Sequence, residues 1–405
     1  MDQDRFDRIA RVLGKPASRR ASVLGAIGTA LGLVAAPAAD AARKATRRHE
    51  KLACRNANSQ CISDDECCSG SCVPKFGGTE FRCAKRHAKK DKKKKDGGSP
   101  APLACTVCAS GCPFTTIQDA LAAADSYSTI TIAPGMYYPD ADSPNTRGSF
   151  EIDINVALVA CDPNDRPVVN DGINPNVKTM FYIGRRDGQS ACVDQNFSAI
   201  FDGIVMVGSA STGHGAVWGD CTASFIIENS DIQGFGPTYM DSKLMYAPVL
   251  YTAYATSEIN NSTIQNCGTI SSYGPTAIQV FLPEDRQVNN YLHLNDTEVF
   301  NNSGLSHAIR IGAYGTMFLS GSSTVHGNTA TSSNGGGIYI EGSYSELFIE
   351  DEASVYDNTC SGYGGGIYAG STALVNGHTV TNVHNNTAGN SCNNFYVNGT
   401  GCVIS

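Results

Sequence analysis

A chain of 405 residues with 41% hydrophobic residues, 42 glycines and only 17% charged residues is neither a disordered acidic polymer nor a membrane protein, and it suits β-rich, turn-rich structure. The net charge of −8 conceals a split at Pro102: 22 Lys and Arg against 11 Asp and Glu lie before it, and 8 against 27 from it onward, a net of −19. An acidic body on a basic arm places any contact with an anionic polymer or lipid headgroup on the arm, and no nucleic-acid-binding motif accompanies it, so nucleic acid is not expected as a partner.

Residues 1–41 read as an export signal. Ser18-Arg19-Arg20-Ala21-Ser22-Val23-Leu24 leads into a 14-residue apolar stretch, Val23–Ala36, too short to span a bilayer, and Ala39-Asp40-Ala41 supplies a small-x-small cleavage site. The segment resembles the twin-arginine signals of bacteria and archaea, with Ser22 where that family usually has Phe. The resemblance implies a secreted or cell-envelope protein, folded before export, whose mature chain has no transmembrane segment; an uncleaved anchor is the competing reading. Sixteen cysteines agree with an oxidising compartment, where they would pair.

A basic segment, 42–53, precedes six cysteines within 54–83: Cys54, Cys61, Cys67, Cys68, Cys72 and Cys83. So small a module cannot bury enough apolar surface to fold alone, so disulfides would hold it, and six cysteines allow fifteen pairings. A zinc site is the alternative, but the module has no His and too many ligands for one tetrahedral ion. The spacing C-x6-C-x5-C-C-x3-C-x10-C resembles that of inhibitor-cystine-knot (knottin) modules, which implies Cys54–Cys68, Cys61–Cys72 and Cys67–Cys83. The Lys-rich segment 84–104 is a solvated linker, either a spacer or a tether to an anionic wall polymer.

Residues 105–405 are expected to form one repetitive body. Ile117, Ala120, Leu121 and Ala124 fall at i, i+3, i+4 and i+7, predicting a short helix with Thr115 and Thr116 available to cap it. Thr129-Ile130-Thr131-Ile132 alternates as a strand, and Pro134-Gly135 makes a turn. Short apolar strand cores then recur, with inward candidates at 217, 249, 278, 309, 338, 367 and 395, spaced by 32, 29, 31, 29, 29 and 28 residues. A second element recurs out of phase at Ile232, Ile264, Val299, Val325, Val355 and Val383. Asn302, Asn328, Asn358 and Asn386 each follow by three residues, suiting a corner in left-handed backbone and side chains bonded from rung to rung. Propeller blades need about 40–50 residues, more than this period allows. The helix-strand-turn opening resembles the start of the pectate-lyase-like fold, implying an all-β, single-stranded right-handed parallel β-helix with an N-terminal capping helix. Gly335-Gly336-Gly337 and Gly364-Gly365-Gly366 precede strands and lack the ending of a phosphate loop, so they are turns. Their Gly-Gly-Gly-Ile-Tyr phrase resembles repeats of bacterial polymorphic surface adhesins.

Alternation assigns an outer column of Trp218, Leu250, Gln279, Arg310, Tyr339, Tyr368 and Tyr396. Flat side chains about 4.8 Å apart suit either a face that stacks on sugar rings or a ladder that stabilises neighbouring strands. The expected partner is a polysaccharide or cell-envelope glycan, better neutral than acidic on a body of −19. Resemblance to the lyases and hydrolases of this fold would instead make Arg310 the catalytic cation, Asp202, Asp220 and Asp231 the carboxylates, and Ca²⁺ a cofactor if the protein were a lyase. No cofactor or metal ligand set is otherwise indicated. A structural stalk is the third class. Cys105, Cys108, Cys112 and Cys161 are expected to pair among themselves, Cys392 with Cys402 across the last rung, and Cys192 with Cys221.

Overall fold

In the computed structural model, the residues described are 72–74, 81–83, 105–139, 150–171, 179–184, 197–208, 215–219, 223–236, 239–240, 245–246, 249–252, 256–269, 277–280 and 290–404. From Cys105 onward they form the expected right-handed parallel β-helix. Separately, Cys72–Pro74 and Phe81–Cys83 pair antiparallel, with Cys72 opposite Cys83. The export signal, Cys54, Cys61, Cys67, Cys68, the Lys-rich linker and the Cys192/Cys221 pairing lie outside the described residues.

One rung shows the plan. Asn290–Asn295 lies in the first sheet, Glu298–Phe300 in the second, Ser303–Gly304 in a short sheet and Ile309–Ile311 in the third, before Gly315–Ser320 returns to the first. Stacked rungs give first and second sheets of nine strands each, a third of ten, and a short sheet of five between the second and third. Every pairing within them is parallel except the last, where Gly401–Ile404 folds back on Phe395–Val397 and Cys392–Cys402 closes the end. At the other end, Thr116 caps the helix Ile117–Ala123 by accepting the Asp119 N–H at 3.0 Å, and Ile117, Ala120 and Leu121 cover the first rung. Cys105–Cys161 and Cys108–Cys112 fasten that cap. Terminal covers are needed because an end rung otherwise exposes its core and free strand edges.

β-Branched and aliphatic residues point inward at matched register. The second-sheet column Met206, Ile232, Ile264, Val299, Val325, Val355 and Val383 is wholly buried. The third-sheet column is Phe181, Val217, Leu250, Ile278, Ile309, Ile338, Ile367 and Phe395. Alternation misplaces one rung: Leu250 faces inward, and Tyr251 takes its place outside. Val249 and Leu250 are both apolar, so the pattern could not choose the phase, and a one-residue shift exchanges the two faces.

The asparagine corner is also refined. Asn302, Asn328 and Asn358 each donate Nδ2–H to the Oδ1 of the next Asn at 2.9–3.0 Å, and Asn386 donates in turn to Asn394 Oδ1 at 3.1 Å. Each Oδ1 of Asn328, Asn358 and Asn386 also accepts a main-chain N–H from the preceding rung. The left-handed residue, however, is the one before: Asn301, Gly327, Asp357 and Asn385, with φ of 54°, 61°, 52° and 55°. Upstream, Cys267 stands in the ladder position, its N–H donating to Asn302 Oδ1 at 3.0 Å. Cys267 and Cys360 are buried free thiols rather than disulfide partners, filling positions that need a small apolar group. Burial pushes the Cys267 thiol up to about 12, so it stays protonated. Among the described residues no helix is long and apolar enough to cross a membrane.

Candidate functional site

The third sheet presents Glu151, Tyr182, Trp218, Tyr251, Gln279, Arg310, Tyr339, Tyr368 and Tyr396 as one outward column. Its two halves differ in exposure. Tyr182, Trp218, Tyr251 and Gln279 are only 3%, 7%, 4% and 7% accessible, whereas Arg310, Tyr339 and Tyr396 are half-buried and only Tyr368, at 9%, is as covered as the upstream rings. Trp218 stacks on Tyr251 with centroids 4.2 Å apart. Downstream, His307, Tyr339, Tyr368 and Tyr396 stack at 4.6, 5.1 and 5.4 Å, and Tyr363 lies against Tyr396 at 4.8 Å. Rings stacked this way spend their faces on one another and offer outsiders mainly edges. Tyr363, 37% accessible, is the ring of the group most open to solvent.

A polar cleft of about 540 Å³ opens beside this downstream half. Three rungs build it, in the stretches that lead from the short sheet to the third: Ser306 and His307, then Ser332, Ser333 and Asn334, then Ser361 and Gly362, with Asn390 beyond. Gly335 and Gly364 adopt φ of 65° and 66° where these stretches turn into strands. A Cβ on Gly336 or Gly365 would meet the neighbouring rung's carbonyl at 2.5 or 2.4 Å, so these turns close only with glycine.

Strands Ile309–Ile311 and Ile338–Ile340 supply the charged wall. Arg310 and Glu341 form an ion pair, and Tyr339 Oη donates to Glu341 Oε2 at 2.9 Å. Between Gln287 and Ser405, Arg310 is the sole Lys or Arg. Burial, with Glu341 beside it, pushes the Tyr339 hydroxyl well above the usual tyrosine range, so it remains a donor. His307 lies against Tyr339 at the cleft wall, its Nδ1 3.1 Å from Ser306 Oγ. Burial, reinforced by Arg310, lowers its pKa to about 3, keeping the imidazole neutral. Asn334 Oδ1 accepts the Tyr363 N–H at 2.9 Å and fixes that loop to the cleft edge. The result is a lining of hydroxyls and amides around a charge pair that neutralises itself.

Of the expected catalytic group, the two described carboxylates do not come together with Arg310. Arg310 lies on the third sheet. Asp202 ends a first-sheet strand and accepts from Asn229 Nδ2 at 2.7 Å, while Asp231 lies on the second sheet, ion-paired with Arg166 and accepting from Thr263 Oγ1. Asp220 is outside the described residues. Carboxylates fixed on other faces of a rigid coil cannot converge on Arg310. Among the described residues no three His, Cys, Asp or Glu side chains gather as metal ligands.

Sequence reasoning missed Tyr251, Tyr363, Glu341 and the cleft amides. Glu341 had a usable signal, since it follows Tyr339 by two residues and period two puts both on one side. The cleft amides had none, because they lie in loops outside the strand alternation.

No protein-family model matches the sequence, and no curated protein matches it. A solved PL6 alginate lyase in complex with a trisaccharide is similar over 64% of this chain and 56% of its own, at 13% identity and a TM-score of 0.25. The chain thus spans just over half of that protein's length, and a likeness this slight assigns no activity.

Proposed function

We propose that this is an exported β-helix protein that binds an uncharged glycan in the lateral cleft between Ser306 and Asn390. The observation that carries the reading is the cleft's chemistry: Ser333, Asn334, Ser361 and Asn390 offer hydroxyl and amide partners suited to sugar hydroxyls, around an Arg310–Glu341 pair that is already neutralised. Tyr363, next in sequence to the lining residue Gly362, supplies an accessible ring beside the opening. The closed charge pair and the acidic body both disfavour a polyuronate. The buried upstream rings Tyr182, Trp218 and Tyr251 serve to brace neighbouring strands.

An array of neutral and acidic oligosaccharides tests this. The wild-type protein should retain neutral glycans. Glu341→Gln, which removes the carboxylate paired with Arg310, should shift retention towards uronate-containing ones by roughly tenfold. Retention of acidic glycans by the wild type, or a Glu341→Gln profile identical to it, contradicts the reading.

A further inference from the structure

The second sheet carries an outward ladder unrelated to the cleft. Phe300, His326, Tyr356 and His384 share one register position on consecutive strands. Their centroids lie 5.2, 4.8 and 5.4 Å apart, with planes within 8° of parallel. All four are half-buried and present their edges as a flat stripe about 14 Å long.

Carboxylates surround that stripe. Glu298 occupies the other outward position of the Phe300 strand, and Asp357 follows Tyr356. Asp296, Glu350, Asp351 and Glu352 lie at or near the corner between the first and second sheets. All six are exposed. Arg310, the sole Lys or Arg of these rungs, stands on the third sheet with Glu341. The downstream end of the solenoid is therefore charged asymmetrically, with a strongly negative second face.

We propose that this face docks an extended, arginine-rich polypeptide segment. Charge complementarity selects the partner: guanidinium groups can take Glu298 and Asp357 in two-pronged hydrogen bonds, while their aliphatic stems lie across the ring edges. Ring faces are occupied by neighbouring rings, so the aromatic stripe contributes apolar cover rather than a cation seated over a ring. The neutral imidazole of His326 can accept a further N–H group. Burial holds the His326 pKa below its usual value against the opposing pull of Glu298 and Asp357, which keeps that ring uncharged at neutral pH.

The test is titration of fluorescently labelled hexa-arginine with the full-length protein, read by anisotropy. Saturable binding is expected at pH 7.5. It should weaken about tenfold in Glu298→Gln/Asp357→Asn and stay unchanged in Tyr363→Ala on the other face. Asp357→Asn retains a side chain at home at φ 52°, so this variant should keep the wild-type melting temperature. Binding should also fall when the pH is lowered from 7.5 far enough for His326 to gain charge beside the incoming guanidinium groups. Absence of saturable binding, equal affinity in Glu298→Gln/Asp357→Asn, or affinity that rises on acidification overturns the proposal.

Discussion

Along the third sheet, one register column runs through two environments. Upstream, Tyr182, Trp218, Tyr251 and Gln279 are covered, and their rings work as cross-strand packing. Downstream, the same column passes Arg310 and Tyr339 at the wall of an open polar cleft. Identical backbone geometry therefore yields an internal brace at one end and the wall of an open cleft at the other. The rungs decide between them through what the connecting stretches contribute: Ser332–Asn334 and Ser361–Gly362 turn tightly and leave a hollow.

The largest expected effect separates the two ends by stability. Trp218→Ala should cost roughly 3–5 kcal/mol, because it empties a covered site and removes the stack on Tyr251. Tyr363→Ala, at an exposed ring, should cost less than about 1 kcal/mol. Chemical denaturation of both variants checks this, and equal losses would erase the distinction between brace and surface.

The inner corner offers a second contrast. Asn358 Nδ2 donates to Asn386 Oδ1 and to the carbonyls of Val325 and Tyr356, while its Oδ1 accepts from the Asn328 main chain and side chain. Asn358→Ala should lose roughly 2–3 kcal/mol by leaving buried partners unsatisfied. Cys267→Ala, at the equivalent upstream position, should lose about 1 kcal/mol. Denaturation midpoints that fall together would deny the ladder its special contribution.

A pH-dependent effect, absent at neutral pH, comes from His307. Its folded pKa of about 3 lies below the ordinary 6.5, so between those values the unfolded chain binds a proton that the native protein does not. Stability should thus be unaffected by this group above pH 6.5, and should fall by up to about 1.4 kcal/mol per unit as pH drops below it. His307→Gln should flatten that part of the wild-type pH–stability curve. A variant curve parallel to the wild type would mean that the imidazole titrates normally.

How much of this was legible beforehand depends on which residues repeat. Ile309, Ile338 and Ile367 recur once per rung with a polar or aromatic neighbour, so the coil, its period and most of the outer column can be read directly. At Val249–Leu250 the alternation has no contrast, and there the phase is lost. Asn302 to Asn386 repeat visibly, but the sequence does not separate the residue that bends from the residue that bonds. Cleft residues such as Asn334 and Asn390 come together because turns place them near a common opening, and nothing in their spacing announces it. Ring exposure is likewise set by neighbours in space, which is why Trp218 looked like a binding residue and is instead covered.

Recognition is proposed to belong to the cleft end rather than to the whole aromatic column. Its most direct test is the dissociation constant of the best neutral oligosaccharide, measured by calorimetry for wild type, Tyr363→Ala and Trp218→Ala well below their melting temperatures. Tyr363→Ala should bind about tenfold more weakly, and Trp218→Ala should keep wild-type affinity. Weakened binding in Trp218→Ala with Tyr363→Ala unchanged would contradict it.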